Sequence, residues 1–95
     1  MSVRIVCINK AGGNHYDPHE AVEEYGWVNE ADGKKGKNNR VSMVDWVKNK
    51  KGRAYVKDAS GEINCYVNVS RAGTEFLQTY ADGRWTDNLL NLPEC

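Results

Sequence analysis

Ile63-Asn64-Cys65-Tyr66-Val67-Asn68-Val69-Ser70 decides the fold class, because its apolar and polar residues alternate without a break. A period of two marks a strand with one buried face, so Ile63, Cys65, Val67 and Val69 turn inward while Asn64, Tyr66, Asn68 and Ser70 turn to water. The flanking residues extend this strand into an antiparallel meander. Upstream, Ala54-Tyr55-Val56 reads as a strand ended by Asp58-Ala59-Ser60-Gly61. Downstream, Ser70-Arg71-Ala72-Gly73 turns the chain, residues 74–80 return it, and Asp82-Gly83 signals a hairpin just before Trp85. Leu89, Leu90 and Leu92 then pack back onto the core, with Asp87 or Asn88 starting a short helical turn.

The first half of the chain mixes signals. Val3-Arg4-Ile5-Val6-Cys7-Ile8-Asn9 reads as a strand, with Val3, Ile5 and Cys7 on one face and Val6 and Ile8 on the other. Apolar residues on both faces place it in the sheet interior. After the turn segment Lys10-Ala11-Gly12-Gly13-Asn14, Asp17-Pro18-His19-Glu20 has the cap, first-turn proline and capping-box acid of a helix start. That helix is expected to run to Tyr25, bury Ala21, Val22 and Tyr25, and stop at Gly26. Trp27-Val28-Asn29 allows a short strand, and residues 30–39, rich in Gly, Asn and Lys, read as an exposed loop. Ser42 begins a second helix with Met43, Trp46 and Val47 on its buried stripe, cations at its C-terminal end, and Gly52 as its stop. The expected fold is α+β, a mainly antiparallel sheet with two short helices in one small domain, residues 1–95.

At 95 residues, 40% hydrophobic and 27% charged, the chain has the composition of an ordinary globule rather than a disordered segment. No apolar run exceeds Ile5-Val6-Cys7-Ile8, far short of the ~20 residues that span a bilayer, and Met1-Ser2-Val3-Arg4 has no apolar stretch long enough for a secretory signal, so none is expected. Three scattered cysteines do not suggest a disulfide framework, so the expectation is a cytoplasmic protein with no membrane contact. Cys7, His15, His19, Cys65 and Cys95 lack any knuckle spacing, and the helix start between His15 and His19 denies those two a shared face. No metal, no cofactor and no catalytic residue is expected; Cys7 and Cys65 read as small core side chains.

The formal charge is zero, yet the charges are segregated. Residues 17–32 hold six acids and no base, whereas residues 33–57 hold nine bases against Asp45 alone. Such blocks either neutralise one another or face a partner. The Gly12-Gly13 turn is no phosphate loop, because the carboxylates of the following helix would repel an anion there. The second helix start is the opposite case. Lys34, Lys35, Lys37 and Arg40 precede it, Lys50, Lys51 and Arg53 extend the patch, and Tyr55 or Tyr66 offers a stacking surface on the sheet.

Two segments are familiar as a pair. Val6-Cys7-Ile8-Asn9-Lys10 with Gly13-Asn14-His15-Tyr16-Asp17-Pro18-His19-Glu20, and the ending Ala81-Asp82-Gly83-Arg84-Trp85-Thr86-Asp87-Asn88-Leu89-Leu90-Asn91-Leu92-Pro93-Glu94-Cys95, resemble the opening and closing boxes of a bacterial domain-of-unknown-function family of the DUF-3892 type. The resemblance covers nearly the whole chain and implies a compact bacterial or phage-type domain with no assigned activity. The functional expectation therefore rests on the residues: a small non-enzymatic binding module taking a nucleic acid or nucleotide through residues 34–53. The alternative is a protein-interaction module, self-association included, that uses the acidic first helix, residues 20–24.

Overall fold

Seven strands form one sheet in the order β3-β2-β1-β4-β5-β6-β7 among the residues described by the structure, a computed structural model covering residues 2–10, 21–59 and 61–95. The strands are β1 (Ser2–Lys10), β2 (Val22–Val28), β3 (Lys35–Asn39), β4 (Arg53–Asp58), β5 (Gly61–Val69), β6 (Glu75–Ala81) and β7 (Arg84–Thr86). One α-helix, α1 (Arg40–Asn49), stands between β3 and β4, and a 3-10 turn (Asn88–Asn91) follows β7. All pairings are antiparallel except that of β1 with β4, where Ser2, Val3 and Arg4 lie beside Arg53, Ala54 and Tyr55. The meander of β4 to β7 and the interior place of β1 agree with the sequence reading.

The expected first helix is corrected. Residues 22–28 are a strand, and the start at residues 17–20 lies outside the described residues. The cause is a bulge. Lys10 faces Val22 but Asn9 faces Glu24, so Glu23 is an extra residue in β2. It leaves Val22 and Tyr25, three apart, on the same buried face, and this spacing imitates a helix. A second bulge, at Val6 of β1, does the same to Ile5 and Ile8. Both are fully buried on the core side, and Cys7 turns to the opposite face, not the one shared with Val3 and Ile5.

The expected exposed loop of residues 30–39 is also corrected. Asn29 organises a tight turn, with its N–H donating to the Lys34 carbonyl (2.7 Å) and its carbonyl accepting from Gly33 (2.7 Å). The chain then returns as β3, an edge strand whose lysines suit an unpaired edge. The cap of α1 is Asn39, whose Oδ1 accepts the Ser42 N–H, rather than Ser42 itself. At the other end Lys51, not Gly52, takes the left-handed conformation (φ 57), and the Gly52 N–H closes on the Trp46 carbonyl.

The sheet is strongly curled. On a flat sheet β2 and β6 would stand four strand spacings apart, about 19 Å. Yet the Tyr25 hydroxyl accepts a hydrogen bond from the Leu77 N–H at 3.2 Å. The hollow of the curl holds the core, in which Ile5, Ile8, Val22, Tyr25, Val56, Leu77 and Leu89 are fully buried beneath Met43 and Val44 of α1. Arg40 and Lys48 tie the helix to β6, donating to the carbonyl and the carboxylate of Glu75. Burial pushes the Tyr25 phenol up to about 12, with the Leu77 hydrogen bond opposing it.

The cysteine reading is overturned as well. Cys7 and Cys95 are joined in a disulfide, 88 positions apart. The C-terminal segment lies parallel to β1, with Ile8 N–H donating to Pro93 (3.0 Å) and Cys95 N–H donating to Ile8 (3.2 Å). Gly26 faces Cys7 across the strands, and a Cβ there would come within 2.2 Å of the Cys7 sulfur. Only glycine leaves room for the bond. Leu89 is fully buried, and Leu90 and Leu92 pack against the core, as the leucine cluster implies.

Two substitutions separate these supports. Tyr25→Phe strands the buried Leu77 N–H and should cost about 1–3 kcal/mol in urea denaturation. Cys95→Ser should cost about 2–4 kcal/mol in non-reducing buffer and nothing further when reductant is added. Equal stability of the C95S variant and the oxidised parent would remove the disulfide from this account.

Candidate nucleic-acid interface

Residues opposite one another in a ladder point to the same face, so the registers define which side chains share the outer side of the curl. Lys35 faces Val28, Val28 faces Arg4, Arg4 lies beside Tyr55, and Tyr55 faces Asn64. This row crosses five strands, a path of about 19 Å along the curved surface. Arg53 and Lys57 flank Tyr55 on the same face, and Lys37 lies two residues beyond Lys35. Tyr66 follows Asn64 at the next outward position of β5 and faces Gln78; Tyr80 is next outward on β6 and faces Trp85.

Arg4 is a charged residue inside an apolar strand, half-buried, with its Nε enclosed and without a hydrogen-bond partner among the described residues. Beside it, Glu30 from the β2–β3 turn accepts from the Tyr55 hydroxyl (2.6 Å) and from Lys57 Nζ (2.9 Å). Those two donors hold the Glu30 carboxyl below its ordinary range. The same hydrogen bond, reinforced by burial, pushes the Tyr55 phenol up to about 12. Arg53 sits 4.5 Å above the Tyr55 ring and donates to Asn64 (2.9 Å) and Glu62 (2.7 Å). Tyr55 is therefore occupied at its hydroxyl and its ring face, and it offers no stacking surface.

Tyr66, Tyr80 and Trp85 do offer one. They are 48%, 39% and 40% exposed, and they meet edge to face, with centroids 6.1 Å apart for Tyr66–Tyr80 and 5.1 Å for Tyr80–Trp85. The alternation of β5 points Tyr66 outward in the sequence itself; Tyr80 and Trp85 join it only through the pairing of β6 with its neighbours. Arg4 is a site residue that charge density misses, although a lone charge between Val3 and Ile5 is its signal.

The seven cations singled out in the sequence do not converge on one patch. Lys35, Lys37 and Arg53 share the outer face with Arg4 and Lys57. Lys34 is exposed in the β2–β3 turn, and Lys51 is exposed between α1 and β4. Arg40 is turned to the Glu75 carbonyl (2.7 Å), and Lys50 is on the helix side, 3.7 Å from Asp45. The acidic surface does not form on a helix: Glu23 and Glu24 lie on β2, Glu24 accepts from Asn9, and Glu20 lies outside the described residues.

Among the described residues no three His, Cys, Asp or Glu side chains are grouped to hold a metal, and His15 and His19 lie outside them. Cys65 is buried, and burial pushes its thiol up to about 12, which keeps it protonated and unreactive at neutral pH. No helix among the described residues is long and apolar enough to cross a membrane.

The family model described as "Protein of unknown function (DUF3892)" matches residues 4–93, and the chain belongs to that family. No curated protein and no solved structure matches it.

Three buried acids set the alkaline behaviour. Tyr25, Tyr55 and Cys65 ionise near 12 in the fold, against 10.0 for a free tyrosine and 9.0 for a free cysteine. The folded chain thus holds protons that the unfolded chain gives up, so their contribution is intact below about 9 and is lost as pH rises towards 12. Denaturation midpoints should fall steeply over that window. A flat profile would contradict the enclosure of Tyr25 and Cys65 and the Tyr55–Glu30 hydrogen bond.

Proposed function

We propose that this DUF3892 domain is a non-enzymatic module that binds single-stranded nucleic acid on the outer face of its sheet. The observation that supports the reading is that the outer side of one continuous sheet carries both the cations Lys35, Lys37, Arg4 and Arg53 and the exposed rings of Tyr66, Tyr80 and Trp85, with Arg53 bonded to Asn64 next to Tyr66. Cations along such a surface follow a phosphate backbone, and exposed rings receive unstacked bases without demanding a sequence. A duplex fits less well, because the rings would meet no free base faces.

Fluorescence anisotropy with labelled single-stranded and duplex oligonucleotides at low salt tests this. The single strands should bind, and the duplex should bind more weakly. Trp85→Ala and Tyr66→Ala remove exposed rings, so the fold should survive, and each should weaken binding by about 1–3 kcal/mol. Replacing Lys35 and Lys37 with Ser should lower the salt slope by about 0.7 per lost phosphate contact. Lys50→Ser, on the other side of the sheet, should change nothing. Absence of binding at low salt, or binding indifferent to the rings, rejects the reading.

A further inference from the structure

The helix side of the sheet carries a second feature, an open cleft of about 370 Å³ between α1 and the β1–β3 end of the sheet. Its walls include Val3, Trp27, Met43 and Trp46, and its rim carries Asp45 and Lys50. Both indoles lie against backbone. A Cβ on Gly36 would come within 2.4 Å of the Trp27 ring, and one on Gly52 within 2.2 Å of the Trp46 ring. The Trp27 indole N–H is already bonded to Asn38 Oδ1 at 2.8 Å, so its polar edge is satisfied and its carbon surface remains for contact. The volume falls within the range of small-molecule sites, about 300–1,000 Å³.

The rim charges identify the ligand class. Lys50 Nζ and Asp45 Oδ2 are 3.7 Å apart, too far for a hydrogen bond, and both side chains are largely exposed. Asp45 uses its other oxygen to accept from Asn49 Nδ2 at 2.7 Å. An ammonium and a carboxylate thus stand side by side, each with capacity to spare. A phosphate would gain Lys50 and be repelled by Asp45. A molecule with its own ammonium and carboxylate on neighbouring atoms satisfies both.

We propose that this cleft binds a free α-amino acid with an aromatic side chain. Its carboxylate meets Lys50, its ammonium meets Asp45, and its ring enters between Trp27, Trp46 and Met43. Aromatic contact of this kind favours a ring over an aliphatic chain of equal size. The site is independent of the outer face, since neither Asp45 nor any residue of the Tyr66–Tyr80–Trp85 cluster belongs to both.

Phenylalanine and two truncated analogues test the assignment on the intact domain, with the three indole N–H resonances as readout. Phenylalanine should shift the Trp27 and Trp46 signals at millimolar concentration and leave Trp85 still. 3-Phenylpropionate, which lacks the ammonium, and phenethylamine, which lacks the carboxylate, should each bind more weakly. Lys50→Gln should weaken phenylalanine and phenylpropionate up to about fivefold and spare phenethylamine; Asp45→Asn should spare phenylpropionate instead. Both variants alter exposed side chains, so folding is not at stake. Failure of phenylalanine to move either indole at about ten times a millimolar Kd overturns the proposal. So does equal binding of the two analogues by both variants, or a preference for a nucleoside monophosphate.

Discussion

Three residue pairs join the two antiparallel halves of this sheet into one. Ser2, Val3 and Arg4 lie parallel to Arg53, Ala54 and Tyr55, and this seam joins the antiparallel unit β3-β2-β1 to the antiparallel unit β4-β5-β6-β7. Parallel neighbours require a long crossover, here supplied by β2, β3 and α1 in sequence. The seam serves both faces. Inward, Val3 and Ala54 are buried in the core; outward, Arg4 meets Tyr55, and the charged row continues from one unit to the other. The Tyr25–Leu77 hydrogen bond then closes the curl across strands that the seam has brought into one sheet.

The electrostatics follow from this arrangement rather than causing it. Lys48–Glu75, Arg53–Glu62 and Lys57–Glu30 are partly exposed pairs that water screens, so they fix side chains more than they stabilise the fold. The zero net charge of the sequence hides an outer face with spare cations and a helix-side cleft where charge is balanced. One small sheet thus presents two chemically different surfaces because adjacent residues of each strand point opposite ways.

What is legible in the sequence follows residue periodicity. Ile63 to Val69 alternates in sequence and in space, and Asp82-Gly83 turns as its composition requires, with both residues at positive φ. The region of residues 17–28 is not legible, because the bulge at Glu23 spaces Val22 and Tyr25 as a helix would. The edge strand β3 has no apolar side chain at all: Lys35, Lys37 and Asn39 face outward, and Gly36 and Asn38 lie under Trp27, so hydrophobic patterning has nothing to detect. The site meets the same limit. Charge density names Lys35, Lys37 and Arg53, but only strand order separates them from Lys50 and sets them on one side of the sheet with Arg4. The Cys7–Cys95 bond depends on a parallel contact between chain ends, which neither spacing nor cysteine count encodes.

That bond also sets how the molecule bears load. Tension applied between residue 2 and residue 95 runs along the start of β1 to Cys7, crosses to Cys95, and leaves the chain. Residues 8–94 form a closed loop beside this path and lie outside the covalent load path until the bond is cut. Oxidised, the domain can lengthen only by peeling residues 2–6 away from β2 and β4. Reduced, it becomes a chain that can be drawn out end to end.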